Sequence, residues 1–218
     1  MKHEISDQKG IPLLTLKLTD GETIFTTDAS AAWLSANFEI KTGMRGTLGS
    51  RVAGDAIPAT TYTCRAGIGT LTFTGGLPGA ILEYAVKPTA SVAIQQGTLI
   101  AAEDSVKLSG VKSRPLDGVL YGPKGYAVQR FSGPGLIFLR ALGGVVEQQL
   151  AAKDELWVEP AHVLMFESTV GFDVAPVKGA GNLTVGPDER MYHALLKGPG
   201  RVWLQTGSRF ALRGPGGR

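Results

Sequence analysis

The chain has 218 residues, 43% of them hydrophobic and 19% charged, a balance that buries a core and excludes a disordered chain. Its formal net charge of +3 is too small for a composition built around nucleic acid. A single cysteine, Cys64, excludes a disulfide framework and a cysteine-based zinc or iron–sulfur site, and three histidines (His3, His162, His193) leave little material for metal chemistry.

Read from its start, the segment Met1-Lys2-His3-Glu4-Ile5-Ser6-Asp7 has no apolar signal core, and no later stretch approaches the roughly 18 apolar residues of a spanning helix, so a cytoplasmic location is expected. Leu14, Leu16 and Leu18 alternate with Thr15 and Lys17, the period of a half-buried strand. Asp20-Gly21-Glu22 then marks a hairpin turn before Ile24-Phe25, because glycine accepts the positive φ of a tight turn. The same half-pattern returns as 82–86, the turn Lys87-Pro88-Thr89 and 92–94. It returns again as 146–150, the turn Lys153-Asp154-Glu155 and 156–158. Segment 146–156 taken alone also fits a short helix, but Pro88 and the β-branched residues of its counterpart decide for strands.

A second pattern is a Gly-x-Gly followed by alternating apolar residues. It stands at Gly67-Ile68-Gly69-Thr70-Leu71-Thr72-Phe73, Gly133-Pro134-Gly135-Leu136-Ile137-Phe138-Leu139 and Gly198-Pro199-Gly200-Arg201-Val202-Trp203-Leu204, in steps of 66 and 65 residues. A tyrosine precedes each copy, at Tyr62, Tyr126 and Tyr192. The predicted architecture is all-β, with three double-stranded β-helix-like repeats of about 65 residues. One repeat is split between the ends (11–40 with 192–212), and the others span 62–110 and 126–175, an order suited to a ring. Segments 41–61, 110–125 and 176–191 read as connections between units, and strands 13–18 and 202–205 as outer edges that subunit pairing would cover.

The chemistry-bearing residues point away from catalysis. No His-x-His exists for a cupin-type metal site, and His162 and His193 each stand alone. Cys64 reads as a buried thiol, and no Gly-x-Ser-x-Gly elbow occurs. The run 43–51 lacks the Lys-Ser/Thr ending of a phosphate loop, but Arg45 and Arg51 are candidates for an anion-binding patch. Glu22, Glu155, Asp20 and Asp154 recur where hairpins turn, which accounts for them without catalysis. Trp157 and Trp203 alternate with apolar residues, and Phe73 and Phe138 are read as standing at the place of Trp203, which means packing rather than base stacking. Trp33 belongs to the same set of aromatics. The tail with Arg209, Arg213 and Arg218 reads as a solvated end.

With these residues in view, the chain resembles the altered-inheritance-of-mitochondria-24 family over about residues 11–212. The resemblance rests on Asp20-Gly21-Glu22, Thr42-Gly43-Met44-Arg45-Gly46, the 133–139 strand and Gly198-Pro199-Gly200-Arg201-Val202-Trp203-Leu204-Gln205-Thr206. It departs from that pattern at 41–61, where a longer glycine run is missing. The resemblance implies a fold like the tryptophan RNA-binding attenuation protein and homotrimers whose nine repeats form a pseudo-ninefold ring. It also implies a link to inner-membrane organisation, with no catalytic residue to carry over. The expected function is a non-enzymatic, cofactor-free binding or scaffold ring. The alternative is an RNA- or anion-binding ring that uses its basic loops.

Overall fold

The computed structural model describes residues 1–27, 29–46, 56–114, 126–176 and 192–208. In chain order the strands are β1 (Lys2–Gln8), β2 (Ile11–Thr19), β3 (Thr23–Thr26), β4 (Trp33–Leu34), β5 (Phe38–Arg45), β6 (Ile57–Cys64) and β7 (Ile68–Thr74). There follow β8 (Gly79–Val86), β9 (Ser91–Gln95), β10 (Leu99–Glu103), β11 (Lys107–Arg114), β12 (Tyr126–Ser132) and β13 (Gly135–Leu142). The last are β14 (Val145–Leu150), β15 (Glu155–Val158), β16 (Val163–Glu167), β17 (Gly171–Pro176), β18 (Tyr192–Lys197) and β19 (Gly200–Gln205). Among the described residues a 3₁₀ turn, Pro160–His162, breaks the series, and segment 146–156 is strand, turn and strand, as the repeat argued. Among the described residues no helix is long and apolar enough to cross a membrane.

The strands form four sheets: β1-β2-β7-β4, β5-β6-β3-β10-β13-β8, β11-β12-β9-β16-β19-β14 and β15-β18-β17. The second and third sheets share one plan, strand for strand. The order β2-β7-β4 in the first sheet matches β8-β13-β10 and β14-β19-β16, while β15-β18-β17 in the fourth matches β3-β6-β5 and β9-β12-β11.

Three cores lie between the four sheets. Leu14, Leu16, Leu18, Leu71 and Phe73 of the first sheet pack on Ile24, Tyr62, Ile100 and Phe138 of the second. The other face of the second sheet, with Phe25, Leu99, Ile137 and Leu139, packs on Val92, Ile94, Met165 and Trp203 of the third. The third packs through Ala93, Val128, Phe166 and Val202 on Val158, Ala194 and Leu196 of the fourth. The central strands of sheets two and three (Leu99-Ile100-Ala101-Ala102, Val163-Leu164-Met165-Phe166) are therefore buried on both faces, which is why they read as unbroken apolar runs rather than alternating ones.

Local chemistry accounts for the turns. In the β2–β3 turn Gly21 has φ +81°, and the Glu22 carboxylate accepts the Thr19 N–H at 2.7 Å. In the β14–β15 turn Asp154 accepts the Ala151 N–H at 2.7 Å in the same way, so Asp154 rather than Glu155 is the counterpart of Glu22. The second glycine of the Gly-x-Gly pattern is required at two copies. Gly135 and Gly200 have φ +150° and +145°, and a Cβ there would meet Val106 Cγ2 or Val170 Cγ2 at 2.7 Å.

Four sequence expectations need correction. Strands 13–18 and 202–205 are not edges: β2 lies between β1 and β7, and β19 between β16 and β14. Segments 41–61, 110–125 and 176–191 do not join units; they join the paired arms β5–β6, β11–β12 and β17–β18. Tyr62 lies late in β6, opposite Ile24, whereas Tyr126 and Tyr192 open β12 and β18, so tyrosine is no common landmark. Finally, Glu147 pairs with Trp203, Glu83 with Phe138 and Thr15 with Thr72, which places Thr72, not Phe73, at the position of Phe138 and Trp203.

Gln129 on β12 is fully buried opposite Ile94, and among the described residues neither its Nε2 nor its Oε1 has a hydrogen-bond partner. An unpaired buried amide carries an uncompensated desolvation cost. Gln129→Met keeps the volume and removes that cost, so it is expected to stabilise the protein by about 1–2 kcal/mol. A urea midpoint that falls instead would mean the amide is satisfied in solution.

Candidate assembly edges and groove

The second and third sheets each contain a joint between two strand triplets. At β3–β10, Phe25 lies opposite Ala102 and Ile24 opposite Glu103. At β9–β16, Ala93 lies opposite Phe166, Val92 opposite Glu167 and Ile94 opposite Met165. The next N–H crosses to the partner strand in both: Asp104 N–H to Thr23 O (3.3 Å) and Ser168 N–H to Ser91 O (2.9 Å). A glutamate closes each joint from behind, Glu103 accepting the Leu136 N–H at 2.8 Å and Glu167 the Arg201 N–H at 2.9 Å.

Among the described residues, two strands carry the same features without a partner on their outer edge. On β4, Trp33 and Leu34 pair with Thr72 and Leu71, and Ser35 Oγ accepts the Thr70 N–H at 3.0 Å, the place the two glutamates hold elsewhere. β4 ends its sheet, leaving Trp33 55% exposed. β15 ends the fourth sheet and leaves Trp157 54% exposed, whereas Phe25 and Ala93, at the matching places on β3 and β9, are buried. A strand edge bearing an exposed tryptophan is an unsatisfied pairing surface. Sequence reading saw Trp157 and Trp203 as one kind of residue; Trp203 is buried and gives its Nε1–H to Glu147 at 2.9 Å.

Arg45, one of the two candidate anion ligands, closes β5. Its guanidinium lies 3.7 Å from the Phe25 ring centroid, and it donates to Asp104 Oδ1 (2.9 Å), Asp104 O (2.9 Å) and Val106 O (3.5 Å). It borders a groove of about 740 Å³ between the β5–β6 arms and the β10–β11 turn. Arg51 and the three tail arginines lie outside the described residues.

The remaining candidates have structural settings. His162 Nδ1 lies 2.7 Å from Gln205 O, His193 meets the edge of the Trp157 ring, and His3 Nε2 lies 2.9 Å from Glu83 Oε2 with its ring against Phe138. Cys64 is fully buried, and its Sγ takes a long contact from Asn37 Nδ2 at 3.6 Å. Glu22, beside the Met1 ammonium and the Thr19 N–H, is held below the usual carboxylate range, while Glu155 pairs with Lys197. Sequence reading missed one cluster, in which Arg201 joins Glu167 (2.8 Å) and Glu147 (3.4 Å), with Tyr84 against Trp203. Burial pushes the Tyr84 phenol above its ordinary value, aided by the two carboxylates and opposed by Arg201. Among the described residues no three histidine, cysteine or acidic side chains group as a metal site would require.

The model of the family described as mitochondrial biogenesis AIM24 matches residues 3–207. No curated protein matches the chain. Among solved structures, a crystal structure of a Streptococcus pyogenes protein is similar at TM-score 0.77 and 18% identity, covering 98% of this chain and 96% of its own. At that identity the likeness shows the fold alone.

Proposed function

Because this chain belongs to the mitochondrial biogenesis AIM24 family, we propose that it is a non-enzymatic binding or scaffold protein, built from three units like those of the tryptophan RNA-binding attenuation protein and working as a homotrimeric ring. In this reading each unit is a six-stranded sandwich, contiguous in sequence: 11–74, 79–142 and 145–205. No unit is then split between the chain ends. Neighbouring units share a sheet through β3–β10 and β9–β16, so the first and fourth sheets are two halves of one such sheet.

The observation that carries the reading is this complementarity. β15 of one copy has the place of β3 and β9, and β4 of the next has the place of β10 and β16. Transferring the internal register sets Leu34 opposite Trp157 of the neighbouring copy and Trp33 opposite its Val158, with the Ala36 N–H reaching Glu155 O. Such a head-to-tail contact is heterologous, so it must close into a ring or run on as a filament. Closure at three chains is what the family resemblance implies. One observation favours the alternative of an anion-binding ring, namely the cation-rimmed groove beside Arg45.

Native mass spectrometry tests the assembly: the expected mass is three times the 22.9 kDa of one chain. Directly opposed residues have Cβ atoms about 4.5–5.5 Å apart, close to disulfide reach. Mixing a Leu34→Cys chain with a Trp157→Cys chain under oxidising conditions is therefore expected to give a covalent pair. A bare monomer would overturn the ring, whereas a trimer without the crosslink would overturn only the register.

A further inference from the structure

We propose that the groove beside Arg45 binds a small amphipathic anion, a phosphate monoester or similar group carrying an apolar substituent. The groove lies on the face of β5 and β6 that presents Lys41, Gly43, Arg45, Ala59 and Thr61, across from the 104–108 turn. Its floor is lined by Ala59, Val106 and Leu108, which are themselves packed into the core, and a Cβ built on Gly43 would meet nothing within 4 Å, so the groove is open there.

Its charged side is prearranged. Arg45 is held over the Phe25 ring and bonded to Asp104 and to two backbone carbonyls, which uses three N–H hydrogen bonds of its five N–H groups and fixes the guanidinium without further ordering cost. Lys41 is tied to Glu39 at 2.8 Å, but the Lys107 ammonium has no carboxylate partner among the described residues. A fixed guanidinium, an ammonium with no carboxylate partner among the described residues and an apolar floor together suit a ligand with one anionic end and one apolar end.

The shared strand plan does not demand this grouping. At the next joint the places of Phe25, Asp104 and Lys107 are held by Ala93, Ser168 and Gly171, and the sheet still forms. Of the two joints among the described residues, the aromatic platform, its carboxylate anchor and the lysine occur together at one. Pairing therefore does not explain them.

The test is titration of the full-length protein with phenyl phosphate, inorganic phosphate and phenol, followed by calorimetry and by amide NMR shifts. Phenyl phosphate is expected to bind saturably, at least about tenfold tighter than either fragment. Lys107→Glu reverses a charge and Gly43→Val fills the floor, and neither residue takes part in the Arg45 hydrogen bonds; each is expected to weaken binding at least about fivefold. Raising salt should weaken phenyl phosphate as well, since the cations are partly exposed. Absence of saturable binding, or binding that both variants leave unchanged, would overturn the site. Inorganic phosphate binding as tightly as phenyl phosphate would overturn the amphipathic class.

Discussion

Replacing Trp157 by lysine is expected to reduce the proposed ring to single chains without unfolding them. In the isolated chain Trp157 is more than half exposed on the outermost strand of the fourth sheet, so the exchange costs little there; surface changes of this kind stay within about ±0.5 kcal/mol. In the proposed ring the same side chain takes the place that Phe25 and Ala93 hold inside the protein, where both are buried. A lysine in that place would bury an unpaired ammonium, and lysine on an edge strand is the device by which natural sheets prevent pairing. Removing an interface tryptophan of this kind typically costs about 2 kcal/mol or more per contact. Light scattering behind size-exclusion chromatography would follow the mass, and circular dichroism would check the fold. If the variant keeps the mass of the parent protein, β15 is not the joint.

Phe138→Ala is expected to be among the most destabilising single truncations in the described core, by about 3–5 kcal/mol. Phe138 has no exposed surface. It sits on β13 in the middle of the second sheet, faces the first, and carries the His3 ring against it at 5.1 Å. The sheet is packed on both sides, so the surroundings cannot collapse into the void without disturbing the core behind it. A loss of that size is a large share of the roughly 5–15 kcal/mol that holds a domain together. Phe138→Leu refills much of the volume and should recover more than half of the loss in urea unfolding. A cost below about 1 kcal/mol for the alanine would mean that the two sheets do not pack as described.

Residues that act locally were legible in the sequence. Asp20-Gly21-Glu22 and Lys153-Asp154-Glu155 announce turns because a glycine or a short polar side chain meets the backbone need within three residues, and Glu22 and Asp154 do so with equal geometry. The Gly-x-Gly spacing was legible for a similar reason, since the second glycine sits where a side chain would strike Val106 or Val170. Misreadings concerned partners. Tyr62 looked like Tyr126 because both precede a glycine pair, yet their strands differ in register, which no local pattern encodes. Trp33 was hard to place because β4 is two residues long and too short to show a period.

By itself the sequence determined the all-β class, the places where the chain turns and a rhythm repeated three times, because hairpin chemistry and side-chain alternation act over a few residues. Only the tertiary structure decided which strands become neighbours. It showed β2 and β19 enclosed rather than exposed, left β4 and β15 open, and brought Arg45, Asp104 and Lys107 around one groove from segments some sixty residues apart. Strand pairing joins distant residues through backbone groups that every residue carries, so the choice of partner is made by the packing of whole sheets and cannot be read from any one strand.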